Sequence, residues 1–226
     1  PHDPVASQGE GGSGPLARMQ EVESTESGRL FAERDWYGLA YQSRDVRYNP
    51  DPLNEVFTVD YADLETGGVG LADDDQKLVN SIEASRPGGA VQRATDAASI
   101  AAFGLYQPGA LNLLKMTDNS VLSAAHWTVS RYADPEPELR EVEIEAFTLP
   151  FYSDILDAEI SSFFSVYNMP AQTVSEMRVT VEGYTELIGE QSHVITFRTS
   201  ASARDSVWVL GDPVYGLLGQ TTRLAY

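Results

Sequence analysis

The chain has 226 residues, 42% of them hydrophobic and 10% aromatic, which is material for one large or two small domains with a real core rather than a disordered chain. Its 15 basic against 34 acidic residues leave a formal charge of -19, which opposes sequence-independent binding to phosphate backbones and argues against a nucleic-acid binder. Without a cysteine it holds no disulfide or thiolate site, and no apolar run approaches the ~18 residues that span a bilayer, so no membrane is expected around the free form.

Residues 1–14 are rich in Pro, Gly, Ser and acid, with Gly9, Gly11, Gly12 and Gly14 in quick succession, and read as a flexible linker. Ser13 is placed to cap a helix over 15–27 that opens on Pro15, repeats Leu16, Met19 and Val22 at helical spacing and stops at Gly28. Short extended pieces follow at 29–33, 40–44 and 55–60, separated by Gly, Asn, Asp and Pro.

Residues 77–86 read as a strand in which Leu78, Asn80, Ile82 and Ala84 share one face. Pro87, Gly88 and Gly89 turn the chain into 91–95, and Asp96 caps a short helix through Ile100 and Phe103 that stops at Gly104. Val121, Leu122, Ala125, Val129 and Tyr132 then fall on one side of a helix over 118–132, with Asp118 as its expected cap. Pro135 and Pro137 end it, because a proline disfavours helix in the residue before it.

Beyond that point the period becomes two. Val142, Ile144 and Ala146 alternate with Glu141, Glu143 and Glu145, predicting a strand with one packed and one acidic face. A helical turn over 152–158 leads to an extended piece at 161–168. Met177, Val179 and Val181 alternate with polar residues, as do Ile195 and Phe197. The expected fold class is α+β, predominantly antiparallel β, in barrel-like or sandwich domains with inserted helices. The expected division is a linker over 1–14, a mixed α+β domain over 15–135 and a β-barrel-like domain over 136–226.

Residues that carry chemistry are few. Of His2, His126 and His193 no two have the i, i+4 spacing of a helical zinc site. Asp73, Asp74 and Asp75 lack the Gly at position six and the acid at position twelve of an EF-hand loop, so a solvated turn is the ordinary reading. The glycines before Gly14 precede no Lys-Ser or Lys-Thr pair, and no Ser stands between two Gly at nucleophile-elbow spacing. Glu141, Glu143 and Glu145 form an exposed stripe before they form a glycosidase pair. Trp36, Tyr37 and Tyr41 are the one local aromatic cluster that suggests a sugar platform, Trp127 and Trp208 standing apart. No catalytic residue, cofactor or metal ligand is therefore assigned.

The strand pair around Val179 to Phe197, the turn Trp208-Val209-Leu210-Gly211-Asp212 and the closing Leu218-Gly219-Gln220-Thr221-Thr222-Arg223-Leu224-Ala225-Tyr226 together resemble the C-terminal end of tail-tip (baseplate hub) minor tail proteins of long-tailed phages of actinobacteria. Gly28-Arg29-Leu30-Phe31-Ala32-Glu33 and Tyr41-Gln42-Ser43-Arg44 resemble the same family, in which a helix with an acidic end enters a short hairpin ending in Arg. Glu26, Gly28 and Arg44 are the matching positions. Asn168-Met169-Pro170-Ala171 keeps the family's Pro-Ala turn, while the N-terminal barrel of a complete hub is not recognisable. The chain begins at Pro1 without Met, so a processed product or part of a longer protein is expected.

That resemblance implies a structural subunit of the virion rather than an enzyme, sited at the tail tip as a homotrimeric ring that closes the tail tube. The implied neighbours are the distal tail protein, the tail tube, the tape measure protein and a spike or fibre protein. DNA passes through the channel without specific binding, and the acidic charge is expected on the lumen. A host-surface glycan-binding module and a cell-wall hydrolase are the alternatives from other classes.

Overall fold

The computed structural model describes residues 5–7, 14–34, 37–47, 55–65, 69–72, 76–135, 137–170, 174–202, 207, 208, 211, 213 and 216. In chain order its elements begin with α1 (Pro15–Glu26), β1 (Arg29–Ala32), β2 (Leu39–Gln42), β3 (Thr58–Asp60), β4 (Gly70–Ala72), β5 (Ser81–Ser85), β6 (Gln92–Thr95) and α2 (Ala97–Phe103). They continue with β7 (Leu111–Asn112), α3 (Asp118–Tyr132), β8 (Glu138–Glu145), α4 (Tyr152–Leu156), β9 (Phe163–Tyr167), β10 (Glu176–Ile188) and β11 (His193–Ala201). The fold is α+β with mostly antiparallel pairing. Two compact units divide the chain: Pro1–Tyr48 with Asp75–Pro135 and Val207–Tyr226, and Asn49–Asp74 with Glu136–Ser206.

In the first unit, α1 begins with Pro15 in its first turn, where a missing N–H costs nothing, behind Gly14, which supplies no side-chain cap. The expected cap Ser13 lies outside the described residues. The left-handed residue that ends α1 is Ser27 (φ 54°) and not Gly28. Gly28 is needed for another reason, a close approach: a Cβ there would sit 2.6 Å from both the Gln42 carbonyl oxygen and the Tyr41 hydroxyl. β1 and β2 form an antiparallel hairpin, Arg29 opposite Gln42 and Ala32 opposite Leu39.

β5 lies between antiparallel β6 and the two-residue parallel strand β7. The even-numbered face of β5 is buried as its alternation predicts, and Ile82, Ala84 and Ala94 pack with Leu113 and with Val121, Ala125 and Val129 of α3. Each large aliphatic side chain buried in this way stabilises the unit by roughly 1.5–3 kcal/mol. Asn80 is fully buried yet satisfied: its amide donates to Ser99 Oγ (3.2 Å) and the Gly104 carbonyl (2.7 Å), and its Oδ1 accepts from the Tyr106 N–H (2.8 Å). Asp96 caps α2 as expected, accepting from the Ser99 N–H at 2.9 Å. The cap of α3 is Thr117, whose Oγ1 accepts from the Ser120 N–H at 3.1 Å. Asp118 sits one residue inside, and its carboxylate accepts instead from Arg86 Nε at 2.6 Å and the Ala90 N–H at 3.4 Å.

The second unit is one six-stranded sheet in the order β3-β9-β10-β11-β8-β4, antiparallel except for the β3–β9 pair. β3 and β4 end the order without meeting, so among the described residues the sheet is open and no closed barrel forms. Val142 and Ile144 of β8, Phe164 and Val166 of β9, Val179 and Val181 of β10, and Ile195 and Phe197 of β11 build its core with Ile155 of α4. Phe164 is at its centre, its ring 4.5 Å from that of Phe57 and 5.4 Å from that of Phe197. The register between β10 and β11 shifts between Val181 and Gly183, as a bulge that bends the long ribbon does.

Candidate interaction surface

The residues singled out for chemistry do not converge. His2 and Asp73 to Asp75 lie outside the described residues, and His126 is exposed on α3. His193 is buried at the start of β11, its Nδ1 2.8 Å from the Tyr152 hydroxyl and its Nε2 3.4 Å from Glu186 Oε2. Among the described residues no three His, Cys, Asp or Glu side chains are grouped to hold a metal ion. The acidic stripe of β8 is tied into the sheet: Glu143 accepts from Thr196 Oγ1 at 3.1 Å and Glu145 from the His193 N–H at 2.8 Å. Glu141 pairs in register with Arg198. Trp36 lies outside the described residues, while Trp127 is only 3% exposed and cannot offer a sugar its face. Trp208 donates its indole N–H to the Gly216 carbonyl at 2.9 Å.

What does converge is the trio Glu26, Gly28 and Arg44, at the junction of α1, the β1–β2 hairpin and α3. Glu26, at the end of α1, holds the ammonium of Lys115 at 2.6 Å, and the Lys115 side chain is 1% exposed. Beside it Thr25 Oγ1 accepts from the Leu114 N–H at 3.1 Å, and the Ala6 N–H reaches the Leu114 carbonyl at 2.7 Å. Gly28 lets the hairpin close on the helix end, and Glu23 Oε1 accepts from the Leu30 N–H at 3.0 Å. The Arg44 guanidinium lies 5.9 Å from the Trp127 ring centre, as does that of Arg131. The Tyr41 phenol is pushed above its ordinary value, by burial first and then by the carboxylates of Glu26 and Glu23, against an opposing pull from Arg44. A polar pocket of about 350 Å³ opens here, lined by Glu23, Arg29, Trp127, Thr128, Arg131 and Tyr132 among others.

On the other side of the hairpin a groove of about 430 Å³ runs between it and α1, lined by Pro15, Met19, Val22, Leu30, Leu39 and Tyr41, with Arg18 as the one charged lining residue. The apolar spacing that predicts α1 from sequence thus faces an open groove rather than a core. Thr25 is the buried residue of the helix, whereas Leu16, Met19, Leu39 and Tyr41 are exposed. A continuous apolar surface of this kind carries no reactive group and is suited to binding another apolar surface. The importance of Lys115 was missed in the sequence. The available signal was its place as the single charge in Leu111-Asn112-Leu113-Leu114-Lys115-Met116.

No protein-family model and no curated protein sequence matches the chain. Solved structures do. The 43 kDa tail protein of prophage MuSo2 from Shewanella oneidensis superposes with a TM-score of 0.55 at 10% identity, over 85% of this chain and 54% of that one. The tail protein from Neisseria meningitidis MC58 gives a TM-score of 0.52 at 9% identity, over 82% and 55%. The chain therefore spans about half the length of each, and across most of its own length it has the fold of these two tail proteins.

Proposed function

We propose that the chain is a structural subunit of a phage tail, built into the tail-tip hub that closes the tube. The observation that carries this reading is the fold shared with the tail protein of prophage MuSo2 over 85% of the chain and with the tail protein from Neisseria meningitidis MC58 over 82%. It draws on backbone geometry, whereas the resemblance of the C-terminal segment and of the Glu26, Gly28 and Arg44 trio to hub proteins draws on the residue pattern. The described surface supports a role in contacts, because it offers an apolar groove and an apolar hairpin tip with Leu187 and Ile188 exposed.

In this reading three copies form the ring, the distal tail protein and tube stand on one side and the spike or fibre on the other. The tape measure and then DNA occupy the channel. A net charge of -19 suits a lumen along which DNA slides without adhering. The test is a phage carrying a stop codon early in the coding sequence, grown with and without a complementing copy. Tails that fail to assemble, or that end without a tip, are expected in the uncomplemented lysate. Normal infectious particles there would overturn the reading.

A further inference from the structure

α1 carries few of the signals that hold a helix together from within. Gly14 gives it no side-chain cap, its first turn has no acid and its last turn has no base. Glu21, Glu23 and Glu26 stand instead in its C-terminal half, where the helix dipole disfavours negative charge, and Arg18 lies toward the positive end. A helix of 12 residues is marginal in water even with good signals, so α1 depends on what it packs against. That packing sits at one end. Glu23 Oε1 accepts from the Leu30 N–H at 3.0 Å, Thr25 Oγ1 from the Leu114 N–H at 3.1 Å, and Glu26 holds the buried Lys115 ammonium at 2.6 Å. The first two turns, over 15–22, bury no residue: Leu16 is 53% and Met19 46% exposed. Local stability follows buried contacts, so a helix fixed at its last turn opens from its first.

The arm over 15–22 is also a wall. Pro15, Arg18, Met19 and Val22 supply the helix side of the groove of about 430 Å³, and all four lie in the part without an anchor. The opposite wall, Leu30, Leu39 and Tyr41, belongs to the β1–β2 ladder, which the anchored turn and the close packing at Gly28 hold in place. We infer that α1 is the gate of this groove: in the free chain its first two turns unwind and re-form on the fixed turn at 23–28, and the groove is whole only while the arm is helical. Filling the groove and winding the helix are then one equilibrium, because whatever binds the wound state alone stabilises it by mass action. The gate is a property of the chain by itself. Its failure would leave the tail reading untouched, and that reading answers separately to the stop-codon phage.

Amide hydrogen exchange followed by NMR on the full chain tests it. The amides of Arg18 to Val22 should exchange within about tenfold of the rate of an unstructured chain. Those of Gly28, bonded to the Glu23 carbonyl at 3.1 Å, and of Leu30 should be at least about a hundredfold slower than that rate. Gly14→Asp supplies a cap oxygen and a negative charge at the favourable end, and it fits, because the Gly14 backbone is extended and a Cβ there meets nothing within 4 Å. It should slow exchange at Arg18 to Val22 about threefold and leave Gly28 and Leu30 unchanged. Glu26→Ala loosens the anchor and should do the reverse, speeding Gly28 and Leu30 while the arm, already open, changes little. Arm amides protected as strongly as Gly28 and Leu30, or a Gly14→Asp chain whose arm exchanges like the wild type, would overturn the gate. Should Glu26→Ala fail to fold, the comparison of wild type with Gly14→Asp decides it alone.

Discussion

Replacing Glu26 by alanine strands the Lys115 ammonium, whose side chain is 1% exposed and whose partner carboxylate lies 2.6 Å away. Removing one member of a buried ion pair costs about 3–5 kcal/mol, because the survivor keeps its desolvation penalty without its counter-charge. Glu26 is itself 20% exposed, so water can reach part of the vacated space and the lower end applies, about 3 kcal/mol. Lys115→Met behaves differently. It removes the buried charge together with its penalty and leaves a carboxylate that can turn to water, so stability should change by no more than about 1 kcal/mol. The assay is urea unfolding followed by tryptophan fluorescence, which is specific here because Trp36, Trp127 and Trp208 all belong to the first unit. At a slope of about 2–3 kcal/mol per molar urea, Glu26→Ala should lower the midpoint by about 1 M, while Lys115→Met should leave it nearly in place. Equal losses from the two variants, or no loss from Glu26→Ala, would refute the burial argument.

Gly28→Ala places a methyl 2.6 Å from the Gln42 carbonyl and the Tyr41 hydroxyl, so the hairpin must move away from α1. A loss of about 1–3 kcal/mol in the same urea assay is expected, and an unchanged midpoint would contradict the close packing. Thr117→Ala removes the cap of α3 and should cost about 1 kcal/mol, whereas an Asp118 variant should not act through helix capping. The Asp118 carboxyl is held below its ordinary value of 3.8 by the Arg86 hydrogen bond first and the Ala90 N–H second. A depressed carboxylate stabilises the fold above the unfolded value, and that contribution disappears as pH falls through the folded value. The midpoint difference between wild type and Asp118→Asn should therefore shrink below about pH 4, and a pH-independent difference would count against it.

Elements coded by neighbouring residues were legible in the sequence. Asp96 and Gly104 bracket α2 within one helix length, and the alternation of Met177, Val179 and Val181 marks the buried face of β10. Elements that depend on distant partners were not. β4 and β7 have three and two residues, too few for any period, and exist because β8 and β5 supply their hydrogen bonds. Asp118 has the composition of a cap, but Arg86, 32 residues earlier, takes its carboxylate and leaves capping to Thr117. The ends of the sheet decide between barrel and open layer, and no local pattern encodes whether β3 meets β4. At the candidate surface, sequence marked Glu26, Gly28 and Arg44 by resemblance, but the burial of Lys115 opposite Glu26 follows only from the fold. The apolar spacing of α1 announced a helix and left open whether its face meets a core or a groove.

The proposed role makes this chain a built-in part of a phage tail. Immunogold electron microscopy of purified particles of the phage that encodes it, with antibodies raised against the chain, tests that most directly. Gold confined to the end of the tail distal to the capsid is the predicted result. Absence of the chain from purified particles, or label on the capsid, would contradict the account.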